Sequence, residues 1–540
     1  MAENIDQDAS TVLEYHERTK HHLHRNARSL GYMDWDNQPN PFRFWESSGR
    51  IQLPLISKDR ERHYHELYKR RQAAEPMGLE SIAAFLELSL ALSAWKKYGS
   101  SQWSLRVNPS SGNLHPTECY LILPETKGNP ACLAHYSPLV HGLEVRSKLD
   151  EATAEVLSSA GGFGVVLTSI YWREAWKYGE RAFRYCNHDV GHALAALGFS
   201  ASLQGWSSAL VASVSSRSLD EALGLDRVSW PESEEEHADC FSWIGGKAPS
   251  PGTVEALLQS CKGLDFEAAP NQLSTNHASW DVIDSVSDAT RSPGQPSERI
   301  EFETTPWTTS ADSSLSADAI VRRRRSAQGY DFQRSVMDRE TFLNMMERVL
   351  PLGYAPFDGF PFEPQVHLAL FIHNVVGLES GLYLLVRNTG QREELQSLLA
   401  KDFSWEPVER DFPLYVLRHG DFREQAMRIS CHQEIAGASA FSLGMLTRFR
   451  PLIEEAPWAY PRLFWETGLV GQVLYLEAEA HGLRGTGIGC FFDDEMHKLL
   501  GLADATYQTL YHFTVGYPAE DSRLQTLEPY HHLAQDKVPM

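Results

Sequence analysis

The chain matches itself at one fixed offset. Adding 277 to residues 183–225 lays them on residues 460–502 without a gap: Gly191 falls on Gly468, Leu197 on Leu474, Ala201 on Ala478, Gly205 on Gly482, and Leu223-Gly224-Leu225 on Leu500-Gly501-Leu502, with Asp189 facing Glu466. A constant offset is the mark of a repeated structural unit. The coinciding residues are of one kind. Small residues along a helix let a second helix approach closely, and Leu-Gly-Leu closes a helix in both places because glycine accepts left-handed backbone. Two unrelated amphipathic helices would share some of these identities, so the repeat must also appear in the order of the surrounding elements.

That order does repeat. In the first half, Glu80–Ala94 carries apolar residues at three- and four-residue spacing and predicts a core-facing helix. CYLILP (119–124) and GVVLTSIYW (164–172) predict strands, and residues 183–205 a long helix rich in small side chains. The second half predicts a helix start at the arginine run 322–325, strands at 367–372, 381–386 and 509–516, and a long helix over 466–483. Between them, residues 265–318 are rich in Ser, Thr and Asp without a periodic apolar face, which predicts a linker. The expected organisation is an N-terminal helix and arm (1–60), a first domain (61–264), the linker (265–318) and a second domain (319–540). The 540 residues accommodate two such domains, and two larger ones as well.

Composition narrows the function. A net charge of −22 offers no general attraction for nucleic acid or acidic membranes, and no window approaches the length of an apolar membrane span. Seven scattered cysteines with no CxxC pair predict neither a disulfide framework nor a structural zinc site. The start MAENIDQDAS lacks the features of a secretory signal, so the expected compartment is the cytoplasm. His21, His22 and His24 could ligate a metal; a solvated helix face is the simpler reading, and no metal is expected. Small molecules, peptides or proteins remain as partners.

Four segments carry chemistry. Arg106-Val-Asn-Pro109-Ser110-Ser111-Gly-Asn113-Leu-His-Pro is a turn crowded with hydroxyl and amide groups and flanked by prolines, suited to a flat polar ligand. Arg322–Arg325 with Ser326, Ala327 and Gln328 brings guanidinium forks and a hydroxyl to a supposed helix N-terminus, an arrangement that suits a phosphate monoester. Gly485-Thr486-Gly487-Ile488-Gly489 allows close backbone approach to a ligand. Trp176-Lys177-Tyr178-Gly179 stands in a dense aromatic and basic stretch, and Arg523 follows Gly516-Tyr517-Pro518 near the end of the chain.

These segments resemble the nitroreductase superfamily. The first resembles its PSSxNxxP signature, which contacts FMN held mainly by the partner subunit. The second is similar to the RRSxR element that holds the flavin phosphate and ribityl chain, with Gln328 in place of the final Arg. The third matches the loop whose N–H groups face flavin N5 and O4, and Arg523 stands where a basic residue reaches the phosphate. The resemblance implies an α+β fold of two fused nitroreductase-like domains, each a central antiparallel sheet flanked by helices, forming an intramolecular pseudo-dimer. The PSSxN loop occurs only in the first half; the RRS start, the Gly-rich segment and Arg523 occur only in the second. The resemblance therefore implies one complete FMN site, with Arg70-Arg71 as a remnant of a second or a mere surface charge pair.

WKYGxRxxRY followed by DxGH, together with the N-terminal YHExTKHxxHRxARSLGYMDW stretch, further resembles the SagB/ThcOx-type azoline dehydrogenases in tandem form. That likeness implies Lys177 and Tyr178 as the groups that remove a proton while flavin accepts hydride, from a heterocyclic, peptide-derived or small activated organic substrate. Two other readings stay open: an NAD(P)H-dependent nitro or quinone reductase, and a degenerate scaffold that binds a peptide or partner and no flavin. A monomeric pseudo-dimer and a dimer of pseudo-dimers are both compatible with the sequence.

Overall fold

The computed structural model describes residues 2–56, 59–69, 73–266, 268–295 and 313–533. Arg70-Arg71 lies outside the described residues. Two seven-stranded antiparallel sheets dominate. Number the six main strands of the first in chain order, Thr117–Leu123, Cys132–Ser137, Gly142–Lys148, Gly162–Ser169, Ser207–Leu210 and His237–Gly245; their order across the sheet is then 3-2-1-4-6-5. The second sheet, with Val366–Ile372, Gly381–Leu385, Leu414–His419, Phe441–Arg448, Arg484–Ile488 and Tyr507–Gly516, has the same order, 3-2-1-4-6-5. Each gains one edge strand from a different source, Gly49–Gln52 of the N-terminal arm and Glu406–Pro407 of the second domain. The strands Gly162–Ser169 and Tyr507–Gly516 are buried along their whole length, as apolar, β-branched and aromatic strands covered on both faces must be.

The domains meet through the long helices Ala182–Gln204 and Tyr460–Ala480, which cross at Gly191 and Gly468. A Cβ on Gly191 would stand 2.3 Å from the Trp465 carbonyl oxygen and 2.9 Å from the Gly468 Cα; one on Gly468 would stand 2.5 Å from the His188 carbonyl oxygen and 2.7 Å from the Gly191 Cα. Both pairs, 188/465 and 191/468, are separated by the offset read from the sequence. The offset therefore relates residues that face one another across a local two-fold. Only glycine permits helix backbones this close.

Three expectations are corrected. The helix expected over Glu80–Ala94 covers Leu79–Glu87 only; Leu92–Tyr98 is a strand, paired with Ser101–Arg106 and with the C-terminal strand Gln525–Leu527. Those partners are remote in sequence, so local spacing could not reveal them. The arginine run does not start a helix, since Ala317–Arg323 is helical and ends there. Finally, the supposed linker contains the helix Asp281–Ala289, whose buried Ile283, Val286 and Ala289 form a short apolar stripe against the N-terminal helix Ala2–Arg18. No helix among the described residues is long and apolar enough to cross a membrane.

Candidate active site

A cavity of about 450 Å³ opens at the seam between the domains. Its wall combines Arg106, Pro109, Ser110, Ser111 and Asn113 of the first domain with Arg324, Arg325, Ser326, Gln328, Thr486, Gly487, Ile488 and Gly489 of the second. The Pro109–Asn113 turn and the arginine run therefore line one cleft.

On the first-domain side the turn is tied from within. Gly112 and Asn113 both adopt left-handed backbone (φ 59° and 61°), which reverses the chain within three residues. Ser110 Oγ accepts the His115 amide at 2.8 Å, and Asn113 Nδ2 donates to the Ser104 carbonyl at 2.9 Å. Asp189, on the long helix beneath, accepts both the Ser111 amide at 3.0 Å and the Ser111 hydroxyl at 3.1 Å. Burial pushes this carboxyl up to about 7 despite the serine hydrogen bonds that favour its charge.

On the second-domain side the arginine run divides. Arg322 leaves the cavity to pair with Asp59 and Glu87, whereas Arg324 and Arg325 line it. Arg324 donates to the Arg106 carbonyl at 2.9 Å and lies over the Tyr475 ring. The Gly-rich segment is not a free loop: Arg484–Ile488 is the edge strand of its sheet, paired along one side only. Its glycines make room for aromatic rings, since a Cβ on Gly485 would stand 2.6 Å from Phe513, on Gly487 1.9 Å from the Tyr511 hydroxyl and on Gly489 2.2 Å from Tyr185. The Tyr475 hydroxyl joins the two segments, bonded to Ser326 Oγ at 2.8 Å and accepting the Gly487 amide at 2.9 Å.

Positive charge collects at one end. Lys96, Arg325 and Arg484 all line the cavity there. Burial, reinforced by Arg325 and Arg484, lowers Lys96; burial and then Arg324 push Arg325 down to about 9. Cations gathered in this way, two of them disfavoured by burial and by one another, suit an anionic ligand. Four buried polar atoms of the wall have no hydrogen-bond partner among the described residues: Asn108 Oδ1, His115 Nδ1, Arg106 Nε and Arg324 Nε. Such atoms cost free energy unless a ligand or water meets them. A flat polar ring with a phosphate tail fits this wall.

Other expected residues are placed less simply. Tyr178 lines the cavity, and its hydroxyl would lie 2.7 Å from a Cβ on Gly112; the Lys177 ammonium lies beside it, 3.1 Å from the same point, but outside the lining. Burial, then Glu174, raises the Tyr178 phenol well above its usual range, so it is neutral. Gly485 lies just behind the wall, accepting the Ala327 amide at 3.3 Å. Arg523 is not brought in: its side chain is 69% exposed and paired with Asp521 at 2.7 Å, over the Tyr98 ring. Arg106 reaches the wall, yet its guanidinium donates to the Pro41 and Thr117 carbonyls and so supports the turn. Sequence reasoning missed Lys96, two residues beyond the stretch read as a helix, Arg484, immediately before the Gly-rich segment, and Asp189, His192, Tyr475, Gln433 and Tyr511, which folding brings to the cavity.

Residues 382–517 match the model of the Nitroreductase family. A candidate nitroreductase from Anabaena variabilis superposes with a TM-score of 0.69 at 20% identity, over 94% of this chain and 99% of that one. The chain has the nitroreductase fold. A second candidate nitroreductase, from Ralstonia eutropha, is 16% identical and covers 41% of this chain and 98% of its own, with a TM-score of 0.28. A chain of the E. coli microcin synthetase complex, solved with a truncated precursor bound, is 17% identical and covers 45% and 94%, with a TM-score of 0.27. No curated protein matches the chain.

In this nitroreductase fold the symmetry-related position is closed. The offset carries Leu210-Val211-Ala212 onto Gly487-Ile488-Gly489; the cavity they line with Phe362, Arg462 and Trp465 holds only about 50 Å³. Pro356 packs on Gly198, the counterpart of Tyr475, and Gly359 presses on Ser208, the counterpart of Gly485. Glu466, the counterpart of Asp189, holds the Gln365 amide at 2.9 Å and is neutralised by Arg387. The same acidic position anchors the chain before the central strand in both domains, but only one domain keeps an open turn above it.

Proposed function

We propose that this protein is an FMN-dependent oxidoreductase, a tandem duplication of one domain that holds a single flavin in the 450 Å³ seam cavity. The observation that carries the reading is the junction of Ser110–Asn113 from one domain with Arg324–Ser326 and Thr486–Gly489 from the other, while the two-fold related position is filled. Lys96, Arg325 and Arg484 would hold the phosphate. Ser110, Ser111, Asn108 and Arg324 would meet the polar edge of the ring. When bound, the flavin supplies an acceptor for hydride at N5.

The remaining work falls to the chain. A C–H bond beside a heteroatom is a poor acid, so its oxidation needs a base acting together with the electron sink. Tyr178 and Lys177 stand next to each other at the Gly112 corner, and we assign them proton removal: the neutral Tyr178 hydroxyl, facing the substrate, takes the proton as it passes its own to the Lys177 amine beside it, which is the final acceptor. The substrate class we favour is heterocyclic, peptide-derived or a small activated organic molecule, as in the SagB/ThcOx-type dehydrogenases that the WKYG stretch resembles. Absorption spectroscopy of the purified protein tests the cofactor: one FMN per chain is expected, and a colourless protein that ignores added FMN overturns the reading. Anaerobic titration with NADPH tests the activity, since rapid bleaching would assign a nicotinamide-driven reductase instead.

A further inference from the structure

Five of the seven cysteines are buried; Cys431 and Cys490 are half-exposed and meet. Their sulfurs lie 2.7 Å apart, inside the contact distance of unbonded sulfurs, although 59 residues separate them. An S–S bond, at roughly 2.05 Å, needs only a small further approach. Cys490 follows the edge strand Arg484–Ile488 and lines the seam cavity. Cys431 sits in the turn after the helix Arg423–Ile429, where both it (φ 53°) and His432 (φ 59°) take left-handed backbone, a conformation non-glycine residues adopt at a cost. Gln433 Nε2 donates to the Cys490 carbonyl at 3.0 Å and clamps the two segments together.

The surroundings distinguish the two thiols. The Cys431 thiol, His21 and Arg181 all favour negative charge on Cys490 and lower it against its burial; the same contact raises Cys431. His21 Nδ1 accepts the Ala27 amide at 3.0 Å, which leaves Nε2–H for the Cys490 sulfur. Asp493, the acid facing the pair, is engaged by Arg181 and Arg184. The histidine-rich stretch after the N-terminal helix thus has a partner: His21 serves a sulfur.

We propose that Cys431 and Cys490 form a redox-active dithiol that exchanges with small-molecule disulfides and closes a disulfide in the wall of the seam cavity. The Cys490 thiolate attacks one sulfur of R–S–S–R, forming a mixed disulfide and expelling RS⁻. The Cys431 sulfur then attacks Cys490 Sγ and expels the second RS⁻, which takes the Cys431 proton. Two electrons pass from the protein dithiol to the small disulfide, which becomes two thiols. The closed bond pins the 430–433 turn to the Gly489–Cys490 segment, whose Gly489 carbonyl accepts Tyr185 and Arg181. The redox state of the pair then acts on one wall of the cavity, whatever the cavity binds.

The experiment uses the full-length protein, folded, with excess oxidised glutathione, quenched by alkylation and read by peptide mapping. The expected result is the loss of two alkylatable thiols and one cross-linked peptide joining Cys431 to Cys490, with the five buried cysteines unmodified until unfolding. In Cys431→Ser the reaction should stop at a glutathione adduct on Cys490. Both thiols remaining alkylatable in the wild-type protein, or a folded Cys431→Ser protein with no adduct on Cys490, would overturn the proposal. The wild-type map is decisive even where the variant misfolds.

Discussion

Replacing Arg325 by alanine is the sharpest test of where the phosphate of FMN would bind. Burial, and then Arg324, push the guanidinium down to about 9. At about 1.4 kcal/mol per pH unit, that displacement bounds the free energy an anion could recover at roughly 5 kcal/mol. The side chain is only half-buried, its forks also bond the Arg322, Arg324 and Ser93 carbonyls, and solvent screens the charge, so most of that bound is not realised. A charge-assisted hydrogen bond is worth about 1.5–3 kcal/mol, and about 2 kcal/mol corresponds to roughly 30-fold weaker FMN binding. Fluorescence titration of apoprotein with FMN and with riboflavin separates phosphate from ring. Arg325→Ala should weaken FMN by that factor and leave riboflavin nearly unchanged. Equal losses for both ligands, or no loss for FMN, would refute the assignment.

Lys177→Met should retain flavin and lose turnover, measured as flavin content against substrate-dependent reduction; full activity would remove the ammonium from the reaction. Gly468→Ala should destabilise the fold by about 1–3 kcal/mol in denaturant unfolding, because its Cβ would meet the His188 carbonyl at 2.5 Å. At an unhindered helix site the same change would stabilise by up to about 1 kcal/mol, so the sign of the change decides. His135 lies 3.0 Å from both Glu118 and Glu144; against the effect of burial, these hydrogen bonds raise it to about 9. A value raised above that of the unfolded chain contributes stability fully present below pH 6.5 and lost as pH rises through 9, here about 3 kcal/mol. Unfolding at pH 6 and pH 9.5 should show the loss in wild type and a flatter profile in His135→Gln.

Much of the architecture was legible because it was written twice. An identical fold in each half forces the same small residues onto the same helix positions, and the 277-residue offset survives wherever close packing leaves no alternative, as at Gly191 and Gly468. The turn at Ser110–Asn113 was legible because local chemistry builds it. Lys96 was not: its strand is defined by pairing with Ser101–Arg106 and with a segment some 430 residues away, which no local spacing encodes. The arginine run misled for a related reason. Charge repeats look alike at either end of a helix, and here the helix precedes them.

The amino-acid order by itself determined the two-domain plan, the elements at its core, and the residue types that a phosphate and a flat ring would require. Tertiary structure alone decided which of those residues share a space. It set Arg325 against Lys96 and Arg484, turned Arg523 out to solvent, closed the second cleft with Pro356–Phe362, and laid two distant cysteines side by side. Such outcomes depend on which surfaces become neighbours once both sheets are packed, and a contact across hundreds of residues leaves no mark on the local spacing from which a sequence is read.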